Sequence, residues 1–486
     1  MQAFDLNIER VLEHWPVSHA IRELLANALD EHHLTGSAEP EVRRLEDGRW
    51  EIRDHGRGLR YEHLTQKENP EKLGHPSVIG QFGIGLKDAL AVFDRHDIDV
   101  ILRSRHGDIT TARRPKADFP DVVTLHGLVA PPTDPDMDGT SVVLGVSDAD
   151  IDAARSFFLR YTGDAVLEST RYGSVLAKVE EDAPGRIYVK GLLVAEEPDF
   201  LFSYDITDLN ATLRRALNRE RSNVGRSAYS DRVKDILRSC TSAEVAQPLT
   251  ADLGRFASGE MHDELGWKDV AVHACRVLQS TADVVFVTPR QIGHAAVAYA
   301  RDDGYRPVIV PEDIARALRK VTDLDGRPMF DLRAFQEEWN ESFTFSFVEP
   351  DELTDDERAV YALLEPLLAV SDIDLAEHGV EEIRISETMR LGEGDAQVVG
   401  VWDAGIGQIV IRRDQLETAA AFCGTLLHEL EHAISGAGDC TFAFEEALTG
   451  RLGILADRSL NQVGALPMTG PCRASSAGVA GRSRPS

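Results

Sequence analysis

Two histidines and a glutamate in the C-terminal third of the chain have the spacing of a metal site. His428, Glu429 and His432 form the pattern HExxH within the segment GTLLHELEHAI. On a helix, positions i and i+4 project to the same side, so the two imidazoles can share one zinc ion. The glutamate beside the first histidine then reaches a zinc-bound water as general base. Apolar residues flank the motif, which predicts buried histidines and favours a metal over a chance match.

A third ligand is expected on the next segment, which is predicted to be a second helix. Glu445 shares a helix face with Leu448 and Leu452, and an acid on an apolar face needs a partner. We therefore predict Glu445 as the third ligand, whereas Glu446 lies on a less apolar stripe. Asp439 is the alternative, although a helix N-cap is an equally good interpretation of that residue.

A second group of polar residues lies near the N-terminus. Glu23, Asn27 and Asp30 occupy positions i, i+4 and i+7 of a predicted helix, which places them on one face. Any amphipathic helix has a polar face, so this spacing alone indicates no particular chemistry.

Two glycine-containing segments follow this helix. Asp54 begins the sequence DHGRG after the predicted strand RWEIR; an aspartate there can accept a hydrogen bond from an amino group such as that of adenine. Gly56 and Gly58 would let a flat base approach the backbone. The sequence GQFGIGLK at 80–87 then opens a helix, where exposed N–H groups bind phosphate and Lys87 adds a cation.

The order ExxxNxxD, DxGxG and GxxGxGxK over about residues 8–150 resembles the GHKL (Bergerat) superfamily, which includes heat-shock chaperone, DNA gyrase B, MutL and MORC ATPases. The sequence DGTS at 138–141 resembles its fourth motif. The resemblance implies that Asn27 holds Mg²⁺ and that Asp54 and Thr140 read adenine. It assigns the nucleotide site to the following residues: Asn27, Asp30, Asp54, Gly56, Gly58, Gly80, Gly83, Gly85, Leu86, Lys87 and Thr140.

The resemblance also implies a catalytic role for Glu23. In the ATPase branches a glutamate at this place orients and deprotonates the attacking water, which favours ATP hydrolysis over phosphotransfer to histidine. Many GHKL ATPases carry a transducer domain next, and that domain sends one basic residue to the γ-phosphate. Lys190, Arg219 and Arg221 are the candidates here, and the sequence does not choose among them.

The C-terminal motif has a resemblance of its own. A strand pair ending in GQIVIRR, the HExxH helix and a glutamate on the next helix are similar to a compact gluzincin-type metallopeptidase over about residues 395–457. The strand pair could form the edge on which an extended peptide aligns.

These motifs predict a multidomain α+β fold. An N-terminal Bergerat α/β sandwich is expected at 1–160, a transducer-like α/β domain at 161–240 and an α/β connecting region at 241–370. A mainly helical zincin-like domain is expected at 371–465, followed by a disordered tail at 466–486.

Composition narrows the partners and the compartment. With 82 acidic and 52 basic residues among 486, the formal net charge is −30, so the chain should be repelled by nucleic acid. No apolar run approaches the roughly 20 residues of a membrane span, and the first residues lack the pattern of a signal peptide. The five cysteines include no CxxC pair, which fits a cytoplasmic protein without disulfides.

The sequence as a whole predicts an ATP- and Mg²⁺-dependent GHKL ATPase whose nucleotide state gates a Zn²⁺-dependent peptidase. The expected partners are a protein or peptide substrate and a second copy of the chain in an ATP-dependent homodimer. Two alternatives remain: a conformational clamp or chaperone whose zinc domain only binds peptide, and a MORC-like nucleic-acid clamp, which the negative charge disfavours.

Overall fold

The chain forms two structural units, and each unit is made of two separate stretches of the sequence. The computed structural model describes residues 2–6, 8, 15–65, 78–79, 85–116, 119–217, 224–256, 258–392 and 398–462. The first unit comprises Met1–Pro289 and Tyr305–Phe330, and the second comprises Arg290–Gly304 and Asp331–Ser486.

The N-terminal part of the first unit is a seven-stranded antiparallel sheet with strand order β1-β6-β5-β4-β7-β3-β2. Its strands are β1 (Gln2–Asp5), β2 (Glu41–Arg44), β3 (Trp50–Arg53), β4 (Val100–Ser104), β5 (Gly107–Lys116), β6 (Phe119–Ala130) and β7 (Thr140–Leu144). Its helices are α1 (Val17–Thr35), the 3₁₀ helix Tyr61–Leu64, α2 (Gly85–Arg95), α3 (Asp148–Arg155) and α4 (Leu159–Thr162).

Helix α1 is central to this part because it packs against both α2 and α3. Its apolar residues, including Ile21, Leu24 and Leu25, are buried in a core shared with Phe93 of α2 and Leu144 of β7. The apolar repeat accounts for burial of that side of α1. The helix ends at Gly36, whose φ of 64° is the left-handed conformation that glycine adopts without strain.

The next part of the first unit is a five-stranded sheet with strand order β11-β10-β12-β9-β8. Strands β10 and β12 are parallel and the other neighbours are antiparallel. The strands are β8 (Val166–Thr170), β9 (Gly173–Leu176), β10 (Gly185–Val189), β11 (Leu192–Glu197) and β12 (Ser203–Ile206). The helices that follow are α5 (Ala211–Ala216), α6 (Arg226–Leu237), α7 (Ala243–Leu253), the 3₁₀ helix Asp263–Gly266 and α8 (Lys268–Thr281).

One hydrophobic core runs from this sheet through α6, α7 and α8 to a short parallel pair, β13 (Val284–Val287) and β14 (Arg306–Ile309). The chain between these two strands belongs to the second unit and contains α9 (Ala295–Asp302). Helix α10 (Glu312–Leu318) follows β14. The expected connecting region, 241–370, is therefore divided between the two units.

The second unit is built on a four-stranded sheet with strand order β15-β16-β18-β17. Its strands are β15 (Phe347–Val348), β16 (Glu382–Ser386), β17 (Gly400–Asp403) and β18 (Gln408–Arg412). Its helices after α9 are α11 (Leu332–Ser342), α12 (Asp355–Tyr361), α13 (Leu364–Ser371), the 3₁₀ helices Ala376–His378 and Arg413–Glu417, α14 (Ala419–Ser435) and α15 (Phe442–Gln462). Helix α9 packs on α11, where the rings of Tyr299 and Trp339 are 5.1 Å apart.

The architecture is thus multidomain with several α/β parts. The expected disordered tail at 466–486 lies outside the described residues. Within the described ranges, no helix is long and apolar enough to cross a membrane.

A buried ion pair joins helices α14 and α15 of the second unit. Glu431 of α14 is buried and accepts a hydrogen bond from Arg451 of α15, which also donates to the Ser371 carbonyl at the end of α13 at 2.8 Å. Arg451→Met should destabilise this unit by about 3–5 kcal/mol, because it leaves the Glu431 carboxylate buried without its partner. Urea unfolding of the full chain, monitored in the second unit, measures the change.

Arg458→Met is the matched control, since Arg458 lies on the same side of α15 but pairs with the exposed Asp372 at 3.0 Å. We expect its cost to stay near or below about 1 kcal/mol. Adding Glu431→Leu to Arg451→Met should recover most of the loss. Equal costs for Arg451→Met and Arg458→Met would contradict this account.

Candidate functional site

The three polar residues predicted on one face of α1 lie there in the structure. Glu23 and Asp30 are buried and Asn27 is half-buried. The Asp30 Oδ1 accepts a hydrogen bond from the Ile79 N–H at 2.6 Å. Because Ile79 immediately precedes the glycine motif, this bond ties α1 to the start of that motif.

Asp54 lies at the end of β3 and is joined to β7. Its Oδ1 accepts the N–H groups of Gly56 at 3.0 Å and Thr140 at 3.2 Å, and it also bonds the Thr140 side chain. Burial raises the pKa of Asp54 above its ordinary value, since these bonds offset the desolvation only in part. Gly139 permits this approach: a Cβ there would lie 1.9 Å from the Asp54 carbonyl oxygen. Gly58 completes the turn with a φ of 84°.

The start of α2 lies directly against the predicted catalytic glutamate. A Cβ on Gly85 would be only 2.2 Å from the Glu23 Oε2, so a larger residue there would displace the Glu23 carboxylate from this position. Gly85, Leu86 and Lys87 form the first turn of α2, where N–H groups have no partner within the helix. Gly80 and Gly83, predicted for the same phosphate site, lie outside the described residues.

Of the three basic candidates for the γ-phosphate, the structure places Lys190 next to the α1 face. Lys190 occupies the turn between β10 and β11 with a φ of 51°, and its Nζ donates to the Val78 carbonyl at 3.3 Å. Burial lowers the pKa of Lys190, while the nearby Asp30 acts in the opposite direction. Arg219 and Arg221 lie outside the described residues.

Sequence reasoning missed an ion pair at this site. Glu31 Oε1 accepts both the backbone N–H of Arg57 at 2.9 Å and its Nε at 2.8 Å. The pair links α1 to the DHGRG turn, and Glu31 also fills the space that a Cβ on Gly56 would need. The sequence feature that could have indicated this ion pair is the position of Glu31, one helical turn after Asn27 on the same face of α1.

The HExxH motif lies on α14. Thr418 caps the start of this helix, and its side chain accepts the Ala421 N–H. The Nε2 atoms of His428 and His432 are 3.2 Å apart. The His432 Nδ1 lies 2.8 Å from the Ala437 carbonyl, so it donates there and leaves Nε2 free to bind a metal.

Asp439, rather than Glu445, joins the two histidines. Its Oδ1 lies 3.0 Å from His428 Nε2 and 3.2 Å from His432 Nε2. These three residues are the group in the described part of the chain whose atoms could hold a metal ion. Glu445, the predicted third ligand, is exposed and lies outside this group, whereas the alternative, Asp439, lies within it. The physical reason is the phase of α15: Phe444 is the buried residue, and its ring stacks on His432 with centroids 4.1 Å apart.

Glu429 is buried beside this group. Burial raises its pKa to about 7; Asp439 adds to the rise, while His432 and the backbone N–H of Trp402 oppose it. Trp402 lies on β17, and Gly400 of the same strand permits the close contact: a Cβ there would be 2.8 Å from the Glu429 Oε1. A carboxyl group with this pKa can take a proton from water near neutral pH.

Comparison with known proteins identifies relatives. A protein of Mycoplasma pneumoniae (strain ATCC 29342 / M129 / Subtype 1), described as uncharacterized, is 36% identical over 245 residues, which are 49% of this chain and 98% of that protein. The chain belongs to the family of that Mycoplasma pneumoniae protein. The family model described as the Mycoplasma pneumoniae MPN635 N-terminal domain matches residues 149–243, a range that contains the five-stranded sheet and Lys190.

Two further similarities cover smaller parts. A second Mycoplasma pneumoniae protein, also described as uncharacterized, is 33% identical over 150 residues, which are 30% of this chain and 42% of that protein. The chain thus spans less than half of that relative. Among solved structures, the 43K ATPase domain of Thermus thermophilus gyrase B in complex with an aminocoumarin shows a distant similarity. The two are 17% identical, with a TM-score of 0.20 over 36% of this chain and 61% of that one.

The contact between Gly400 and Glu429 gives a test of the second site in this family member. Gly400→Ala should destabilise the second unit by about 1–3 kcal/mol, because the new methyl group forces β17 away from α14. Gly424→Ala, on α14 itself, is the matched control. A Cβ there meets nothing within 4 Å, so the helix should gain about 0.5–1 kcal/mol. Thermal unfolding that shifts both variants in the same direction would contradict the packing of β17 on α14.

Proposed function

We propose that the first unit binds Mg²⁺-ATP and hydrolyses it. The observation that carries this proposal is the contact between the Glu23 carboxylate and Gly85 at the start of α2, in the same unit as the buried Asp54–Thr140 pair. One contact puts a candidate base beside a helix N-terminus suited to phosphate. The other provides a buried acceptor for an adenine amino group.

The roles follow from these positions. Asp54 accepts the adenine amino group, and the Thr140 side chain holds the Asp54 carboxylate in place. Asn27, half-buried on the same face as Glu23, would hold Mg²⁺, which supplies charge neutralisation at the phosphates. The N–H groups of the first turn of α2, with Lys87, bind the phosphates.

Glu23 and Lys190 complete the hydrolytic arrangement. Glu23 accepts a proton from the attacking water, so the new P–O bond forms as the bond to the leaving ADP oxygen breaks. Lys190 stabilises negative charge on the terminal phosphate; its position at Val78 and near Asp30 supports this role. Its lowered pKa reflects a desolvated ammonium group, whose attraction to phosphate is stronger than in water.

A second function, metal-dependent peptide hydrolysis, is supported by the geometry of His428, His432 and Asp439. Two nitrogens each about 2.0–2.1 Å from a tetrahedral zinc ion are about 3.3 Å apart. The three ligand atoms are separated by 3.0–3.2 Å, which fits this requirement. These residues would hold Zn²⁺, which would supply an activated water when bound, and Glu429 would be the group placed to accept a proton there.

Strand β17 supports a peptide as the substrate. It is the last strand of its sheet, and the Arg412 N–H bonds the Val399 carbonyl across to β18. Because inward and outward groups alternate in an antiparallel pair, the backbone groups of Gly400 and Trp402 face the open edge. Trp402 accordingly donates to Glu429. A peptide added to this edge runs past the proposed base.

The complete proposal is an ATPase whose nucleotide state gates the peptidase. The presence of both candidate sites in one chain supports such coupling, and ATP would act by drawing two copies together through the first unit. The competing interpretation is a conformational ATPase clamp whose second unit binds peptide without cleaving it. A screen for cleaved proteins, with and without ATP, separates the two.

Glu23→Ala should bind Mg²⁺-ATP and fail to hydrolyse it, because Glu23 handles the water rather than the nucleotide. The variant should therefore accumulate as an ATP-bound dimer, visible by light scattering. ATP turnover and binding of a fluorescent ATP analogue measure the two effects. Hydrolysis at the wild-type rate would refute the assignment of the base.

Asp54→Asn is the matched comparison, since it should weaken nucleotide binding itself. The raised pKa of Asp54 means that the ionised carboxylate destabilises the folded state at neutral pH. The amide should therefore keep or raise the melting temperature while ATP affinity falls. A parallel loss of stability and affinity would contradict the adenine role.

At the metal site, His428→Ala, His432→Ala and Asp439→Ala should each lose stoichiometric zinc, whereas Glu445→Ala should retain it. Glu429→Gln should retain zinc and lose peptide hydrolysis, because it preserves shape but removes the base. Metal analysis of the purified full chain measures the first set, and peptide cleavage measures the second.

Glu445→Ala also serves as the control for substitution on the exposed side of α15. If Asp439→Ala keeps zinc and Glu445→Ala loses it, the third ligand is wrong. Wild-type protein without stoichiometric zinc would remove the peptidase proposal and leave the ATPase intact.

A further inference from the structure

Arg22 is a fully buried arginine immediately before the proposed catalytic glutamate. Its side chain is 0% exposed, and it is among the largest fully buried side chains of the described chain. Its Nε and Nη2 donate to the Glu23 Oε1 at 3.2 and 2.8 Å. A buried arginine is held in place only where its charge and its N–H groups are matched.

The Arg22 guanidinium lies over two aromatic rings. Its central carbon is 5.3 Å from the centroid of Trp15 and 5.5 Å from that of Phe157. Contact with both rings restricts the planar group, so its hydrogen bonds to Glu23 have a defined direction.

The two carboxylate oxygens of Glu23 consequently have different environments. Oε1 accepts hydrogen bonds from Arg22, whereas Oε2 faces Gly85 at the start of α2. The oxygen directed at the proposed phosphate site is thus the one that Arg22 does not engage through these two bonds. Rotation of the carboxylate would break the contacts at Oε1.

Phe157 connects this arrangement to the hairpin that carries Lys190. The Phe157 carbonyl accepts the Leu193 N–H at 2.8 Å, and the Leu159 N–H donates to the Gly191 carbonyl at 2.9 Å. Both partners lie within three residues of Lys190 in the chain. Two backbone hydrogen bonds thus join the segment that carries Phe157 to the β10–β11 hairpin.

We propose that Arg22 is a positioning residue for ATP hydrolysis. It orients the Glu23 carboxylate toward the attacking water, and it couples this orientation to the position of the β10–β11 hairpin, which carries Lys190. The inference rests on the proposed ATPase function. In this proposal, the buried guanidinium of Arg22 and the ring of Phe157 couple Glu23 on α1 to Lys190 in the β10–β11 turn.

Arg22→Lys is the decisive variant, because it keeps the buried positive charge but loses the planar contact with Glu23. We expect kcat to fall about a hundredfold, the effect of a small misplacement of a catalytic group. The Kd for a Mg²⁺-bound, non-hydrolysable ATP analogue and the melting temperature should stay near their wild-type values. Phosphate release, calorimetry and thermal unfolding on the full chain measure the three quantities.

Arg155→Lys is the matched control. Arg155 also lies over two rings, those of Trp50 and Tyr161 at 5.6 and 5.7 Å, but donates to the Val42 carbonyl rather than to Glu23. It should leave kcat unchanged.

Phe157→Leu keeps an apolar side chain but removes the ring above the guanidinium. It should lower kcat in the same way as Arg22→Lys, again with the Kd unchanged. This second variant keeps the test open if Arg22→Lys folds poorly.

Three results would overturn the proposal. The first is a wild-type kcat in Arg22→Lys, the second is a wild-type kcat in Phe157→Leu, and the third is a loss of kcat matched by equal losses of affinity and stability. Hydrolysis by Glu23→Ala, in contrast, would refute the proposed function itself, so the two failures are distinguishable.

Discussion

Helix α1 carries charged side chains into the core, and their need for partners constrains the first unit. An uncompensated buried charge costs several kcal/mol, so each one fixes a neighbouring element. Glu23 receives hydrogen bonds from Arg22, and Asp30 receives the N–H of Ile79. The same residues form the face that is proposed to meet the nucleotide. Stability and the proposed hydrolysis make different demands on this face, because in that proposal Glu23 serves a water as well as its partner Arg22.

Helix α14 shows the same principle in the second unit. Glu431 points away from the candidate metal group and is matched by Arg451, whereas Glu429 points toward it and receives only a backbone N–H. The matched acid holds two helices together. The less matched acid has its pKa raised to about 7. Two acids two residues apart on one helix thus differ in their partners: Glu431 has a structural role, and Glu429 is the one for which a chemical role is proposed.

The sequence predicts the local secondary structure around the first candidate site. The spacing of Glu23, Asn27 and Asp30 places them on one helix face, and the hairpin of β2 and β3 forms around the expected turn. The structure places Asp439, the alternative third ligand, beside the two histidines; Phe444 occupies the buried side of α15, and Glu445, the next residue, is exposed. Contacts such as Lys190 with Val78 join residues more than a hundred positions apart, and no local pattern indicates them.

The interruption of the first unit between Pro289 and Tyr305 has a consequence for synthesis. Strand β13 is synthesised before its parallel partner β14, and the chain between the two strands contributes α9 to the second unit. Closing this loop lowers the conformational entropy of the chain before the β13–β14 hydrogen bonds can compensate for the loss. As the chain leaves the ribosome, β13 therefore emerges before residues 290–304 and β14 after them, and a fragment that contains the whole first unit, residues 1–330, also carries residues 290–304 of the second.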